Sequence, residues 1–298
     1  MRRRTALPAL AFLLAALAGG CSEQPAATDG QTLERARAAG RIRVGYANEA
    51  PYAWLDPRTG ELTGEAPAIA RAVLGDMGIV EIEGVLTEFG SLIPGLKAGR
   101  FDMIAAGMYV LPARCREIAF SNPTYSVGEA FIVRAGNPHG LHGYADAART
   151  TSATLGVVAG AVQLRYALDS GVPRERVLVF PDPPSALEGV IAGRVDAYAA
   201  TALTVNDLLH RADSRAAERA QPFHDPVAKS GAVRGYGAFG FRKSDRRLVE
   251  AFNAGLAKLI GTPRHAQLVR PLGFTEQELP GTVTAEELCR GSDEPATP

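Results

Sequence analysis

The chain has 298 residues, 46% apolar and 21% charged, and its 32 basic residues balance its 32 acidic ones. That is enough apolar material for a large core and too much chain for one small domain, so two lobes of ordinary size fit. No lysine/arginine run follows residue 4, which excludes a polybasic nucleic-acid or membrane surface and leaves a small neutral molecule or zwitterion as the natural partner.

The chain opens with Arg2, Arg3 and Arg4, an apolar run at 5–18 too short to span a bilayer as a stable helix, and then Gly19, Gly20 and Cys21. This order resembles a bacterial lipoprotein signal, with Ala18 standing where such boxes more often carry leucine. It predicts a signal peptide at 1–20 and a lipid on Cys21 that tethers the mature protein to a membrane outside the cytoplasm; the alternative is an uncleaved anchor helix with an incidental cysteine. Residues 21–31 are polar and proline/glycine-bearing, as in a flexible tether. With Cys21 reserved for lipid, Cys115 and Cys289 are the remaining thiols, and an oxidising compartment favours pairing them over leaving two independent buried thiols. The five histidines are scattered, and His139 with His142 sits in a glycine/proline-rich loop without further ligands, so no metal is expected.

Residues 42–47 read as a buried strand, 65–77 as a helix stopped by Gly78, and 79–87 as the next strand. Strand and helix then alternate, and the sequence echoes itself: residues 92–107 read LIPGLKAGRFDMIAAG and residues 186–201 read ALEGVIAGRVDAYAAT, sharing A-G-R-x-D. In each copy a helix is expected to end at a glycine, Gly99 or Gly193, that tolerates the left-handed conformation, with a short buried strand behind it. Either a common helix-to-strand junction occurs twice, or each of two similar α/β lobes supplies the same unit. The repeated order of the surrounding elements favours two lobes. The second lobe, 134–235, takes in a strand at 153–158, a helix from Ala161, a strand at 176–180 and the second echo. Residues 129–134 are expected to cross outward, and the glycine-rich, aromatic 235–242 to cross back. The first lobe is then discontinuous, 32–133 with 236–298, including a helix at 244–260. Two crossover strands make a hinge, and such folds place ligands in the cleft between the sheets.

The order N-E-x-P-Y at 48–52, F-G-S-L-I-P-G-L-K-A-G-R-F-D-M-I-A-A-G at 89–107 and L-P-A-R-C-R-E-I-A-F-S-N-P-T-Y at 111–125 resembles the extracellular solute-binding proteins of polar amino-acid ABC importers, over about residues 32–291. Within that family the likeness is strongest to members that bind ectoine and hydroxyectoine, through 44–52, 89–107, 181–201, the tail GFTEQELPG at 273–281 and Glu287, Leu288 and Cys289. The resemblance implies a two-lobed periplasmic-binding-protein fold that closes on its ligand as a Venus flytrap, acts as a monomer and delivers solute to an ABC permease. No cofactor is implied.

The resemblance also implies that Arg114 clamps the ligand carboxylate, a task suited to a planar guanidinium fork; a surface arginine at a helix start is the bland alternative. Two positions depart from the amino-acid binders. Leu111 stands where they usually carry threonine, and Thr201 where they carry the aspartate that meets the ligand ammonium. Without that acid the free ammonium of an α-amino acid lacks its charged partner in a closed cleft. Tyr52, Phe89 and Tyr109 fall after the three first-lobe strands, with Glu49 three residues before Tyr52, and such rings attract a delocalised cation through their faces, although any one of them alone reads equally as packing. Gly160, Ala161 and Val162 are expected to open a helix whose free N–H groups receive a carboxylate. The rival readings are a binder of another zwitterion, such as a betaine, proline or a basic amino acid; a cyclic-acid dehydratase or cell-wall lyase lobe; and a sensor domain. The enzyme reading lacks paired carboxylates, a nucleophile elbow or triad spacing, and the sensor reading lacks a second membrane segment or signalling domain.

Overall fold

The computed structural model describes residues 30–212, 215–228 and 231–291; the expected signal segment, Cys21 and the tether up to residue 29 lie outside them. The protein is a two-lobed α/β fold with one large sheet in each lobe. The main strands are β1 (Arg41–Tyr46), β2 (Glu81–Leu86), β3 (Met103–Tyr109), β4 (Glu129–Arg134), β5 (Leu155–Val158), β6 (Val177–Phe180), β7 (Ala197–Thr201) and β8 (Gly235–Phe241).

The first sheet runs β2, β1, β3, β8 and Ala119–Phe120, with Tyr125–Val127 also on β8, and the second runs β6, β5, β7, β4 and Ala217–Arg219. In each sheet three parallel strands come first and an antiparallel strand follows: β8 against β3, β4 against β7. Each antiparallel strand is the one that has just arrived from the other lobe. β4 pairs within the second sheet, so the chain leaves the first sheet at Gly128, earlier than a boundary after residue 133. It returns between Ala220, which still bonds Phe131, and the start of β8.

The echoed segments are the same local structure. Helix Leu92–Lys97 and helix Pro183–Ile191 are each followed by a left-handed glycine, Gly99 (φ 71) and Gly193 (φ 70). In the first, Gly99 N–H donates to Leu96 and Arg100 N–H to Gly95; in the second, Gly193 donates to Val190 and Arg194 to Gly189. These pairs cap the last carbonyls of each helix and turn the chain into its strand. The aspartates of the echo then pin the neighbouring strand: Asp102 accepts from the Arg43 backbone N–H, and Asp196 from the N–H and hydroxyl of Thr154. Burial alone raises the Asp102 carboxyl, but Arg43, Arg35 and Arg242 around it hold it below its ordinary value.

Helix Arg246–Leu259 packs back on the first lobe through Leu248, Phe252, Leu256 and Leu259, a stripe at helical spacing. Each such burial stabilises by about 1.5 to 3 kcal/mol. Cys115 and Cys289 are joined by a disulfide that ties helix Ala285–Arg290 to helix Pro112–Glu117. Among the described residues no helix is long and apolar enough to cross a membrane.

Candidate functional site

Parallel strands of both sheets end at the cleft between the lobes, and the residues just past those ends line one cavity of about 40 Å³. β1 leads into a tight loop in which Glu49 and Ala53 exchange backbone hydrogen bonds, with Asn48 in a left-handed conformation (φ 48) and its side chain accepting from Leu55 N–H. That loop delivers Glu49 and Tyr52 side by side. β2 leads to Phe89, β3 ends on Tyr109, and helix Pro112–Glu117 carries Arg114. From the second lobe come Val158, Ala161, Val162, Gln163, Tyr198, Ala200 and Thr201.

The rings are held by close packing. Tyr52 stacks on Tyr125 at 5.0 Å, and Phe274 meets both edge-on. Strand β8 makes room for this layer with glycine: a Cβ on Gly235 would lie 1.9 Å from the Tyr109 ring, and one on Gly237 2.1 Å from Tyr125. The glycine-rich sequence of β8 is therefore a requirement of the cleft.

Polar groups bridge the lobes. Tyr52 Oη and Thr201 Oγ1 share a hydrogen bond of 2.7 Å, Thr201 Oγ1 lies 2.9 Å from Thr204 Oγ1, and Thr204 Oγ1 donates to Glu49 Oε1 at 2.7 Å. Arg114 donates through Nη1 to Tyr109 O and through Nη2 to Gly160 O, both at 2.9 Å, with its guanidinium 5.4 Å from the centre of the Phe89 ring. Desolvation brings Arg114 down to about 10, which leaves it cationic at neutral pH. Burial pushes the Glu49 carboxyl up to about 7, against the hydrogen bond from Thr204 that favours its charge. The site thus offers a fixed cation, a titratable acid and a wall of ring faces.

The fold brings Glu49, Tyr52, Phe89, Tyr109, Arg114, Ala161, Val162 and Thr201 to the same cavity. Gly160 differs from expectation. It presents its carbonyl to Arg114, while the N–H of Ala161 is taken by Val158 and the helix begins only at Gln163. The expected N–H cradle at 160–162 is therefore partly used up by the turn itself. Sequence reasoning passed over Gln163, Tyr198, Thr204 and the buried Glu129, which accepts from Tyr109 and Gln163 behind the cavity wall. Two buried acids, Glu129 and Glu65, signalled themselves only as charges within otherwise apolar stretches. Among the described residues no group of three His, Cys, Asp or Glu side chains is placed to hold a metal ion.

The sequence profile of the bacterial extracellular solute-binding proteins, family 3, matches residues 42–271. A probable amino-acid ABC transporter periplasmic-binding protein of Sinorhizobium fredii, y4tE, is 40% identical over 282 residues, spanning 93% of this chain and 89% of that protein. The L-arginine-binding protein of Pseudomonas aeruginosa is 27% identical over 233 residues, 76% of this chain and 85% of its own. Among solved structures, EhuB in complex with hydroxyectoine superposes with a TM-score of 0.80 at 35% identity, over 89% of this chain and 100% of EhuB. The ancestral amino acid-binding protein AncCDT-1, a precursor of cyclohexadienyl dehydratase, shares the fold at a TM-score of 0.70 and 23% identity, over 81% of this chain and 99% of that one.

Proposed function

We propose, from the premise that this chain belongs to the bacterial extracellular solute-binding proteins, family 3, that it captures ectoine or hydroxyectoine in the interlobe cleft and delivers it to the permease of an ABC importer. The observation that carries this reading is the meeting of Arg114 with the rings of Tyr52, Phe89 and Tyr109 in one cavity whose second-lobe strand end is Thr201 and not an acid. Ectoine is a cyclic amidinium carboxylate. Its carboxylate suits the Arg114 fork, and its delocalised cation suits ring faces, which attract charge without demanding directed hydrogen bonds. Glu49 is placed to accept an amidinium N–H. A bound cation favours the ionised form of Glu49, so binding tightens as pH rises through about 7. The likeness to EhuB supports the same ligand class.

On this reading the protein binds and releases its ligand unchanged, and no residue is assigned a catalytic role. The lobes are proposed to divide at the two crossings, and the lipid on Cys21 to hold the mature protein at the membrane; intact mass of the membrane fraction checks the lipid, and a Cys21→Ser protein that still partitions into membranes contradicts it. Calorimetric titration of the delipidated protein with ectoine, hydroxyectoine, betaine, proline and arginine tests the ligand. The expected result is tightest binding of the two ectoines. Tight binding of proline or arginine with no heat from ectoine overturns the assignment.

A further inference from the structure

Glu129 sits where the outward crossing enters the second lobe, immediately after Gly128, and is 3% exposed. Its carboxylate accepts three hydrogen bonds: from Gln163 Nε2 at 2.8 Å, Tyr144 Oη at 3.3 Å and Tyr109 Oη at 3.4 Å. Two of these donors, Tyr109 from the first lobe and Gln163 from the second, line the ligand cavity. Asp225 lies beside it, its Oδ1 accepting the Glu129 N–H at 2.6 Å, and the phenols of Tyr166, Tyr52 and Tyr198 are near enough to feel its charge.

We infer that Glu129 is a specificity-determining positioning residue that selects for a cationic ligand without touching it, by fixing which end of the Gln163 amide faces the cavity and by polarising the Tyr109 ring. This role presupposes that the cleft binds a cationic ligand, as proposed above. An amide carries two donors on nitrogen and an acceptor on oxygen. While Glu129 is a carboxylate, it engages the Gln163 nitrogen and leaves the amide oxygen to accept from an N–H of the ligand. When Glu129 is protonated, it has a hydrogen of its own to donate; the Gln163 oxygen can take it, and the amide then turns donors toward the cavity and repels a cation. Burial, with the Asp225 charge beside it, pushes Glu129 up to about 8, while its three donors pull the other way. A cation in the cavity favours the carboxylate, so binding draws a proton off Glu129. The acid missing at Thr201 is thereby replaced by one a layer deeper.

Ectoine titrations of the full-length wild type and of Glu129→Gln between pH 6 and pH 8.5, each in two buffers of different ionisation enthalpy, test this. Glu129→Gln is expected to lose about tenfold in affinity at pH 8.5 but less than about twofold at pH 6, and to release fewer protons on binding. Equal losses at both pH values mark a merely structural residue and overturn the inference, as does no loss at either. Glu49 titrates in both proteins, so the difference between them isolates Glu129. If Glu129→Gln does not fold, Gln163→Met serves: with no amide for Glu129 to orient, affinity should climb less between pH 6 and pH 8.5 than in wild type, and an unchanged climb overturns the inference. L-arginine is the second probe. A wild type that binds arginine and not ectoine refutes the ligand assignment while still testing Glu129; one that binds neither overturns both.

Discussion

Replacing Arg114 with alanine removes the one fixed cation lining the described cavity. In the protein its guanidinium satisfies the carbonyls of Tyr109 and Gly160 and lies over Phe89, so it is oriented before any ligand arrives. A carboxylate docked on it gains charge-assisted hydrogen bonds, each worth about 1.5 to 3 kcal/mol. Truncation leaves that carboxylate buried and unpaired, a loss on the order of 2 to 5 kcal/mol, or roughly 30-fold to several thousandfold in Kd. Arg114→Lys keeps the charge but not the fork, and should fall between the two. Calorimetry with ectoine reads both variants, with far-UV circular dichroism as the control for folding. A folded Arg114→Ala protein that binds ectoine within threefold of wild type would falsify the carboxylate clamp.

Tyr109→Leu should lose roughly 1 to 2 kcal/mol of ectoine binding and Tyr109→Phe much less at neutral pH, since the ring face survives; equal losses in the same titrations contradict a cation held by ring faces. Glu65 is buried, and burial pushes its carboxyl up to about 7 against the opposing hydrogen bond of Thr124. A carboxyl raised in the folded state keeps a proton that the unfolded chain has lost, so stability falls as pH rises from about 4.5 to about 7 and then levels. Glu65→Gln should therefore gain on the order of 3 kcal/mol over wild type at pH 8 and almost nothing at pH 4.5, read by chemical denaturation; a gain independent of pH contradicts the assignment. The disulfide closes a loop of sequence separation 174, and the chain-entropy model gives about 5 kcal/mol for it, so the Cys115→Ser, Cys289→Ser double variant should melt well below wild type; identical melting contradicts that stabilisation.

The echo at 92–107 and 186–201 was readable because its chemistry is local. A helix closed by a left-handed glycine needs no knowledge of the rest of the chain, and both copies form it. Tyr52, Phe89 and Tyr109 were readable because residues just past parallel strands share one edge of a sheet. Register between lobes was not readable. Residues 129–134 carry an apolar run that pairs equally well in either sheet by composition, and only the contact with β7 assigns it to the second. Thr204 escaped notice because its partner Glu49 is 155 residues away, and Gln163 because an amide at a helix start carries no signal of its own. Gly160 was misread for a physical reason: the turn after β5 spends the Ala161 N–H on Val158, which leaves the Gly160 carbonyl for Arg114.

A crystal structure of the protein grown with ectoine tests the account most directly. The ligand carboxylate is expected within hydrogen-bond distance of the Arg114 guanidinium, the ring enclosed by Tyr52, Phe89 and Tyr109, and an amidinium N–H on Glu49. Ectoine seated outside this cavity, or turned so that its carboxylate faces the rings and its cation lies nearest Arg114, contradicts it.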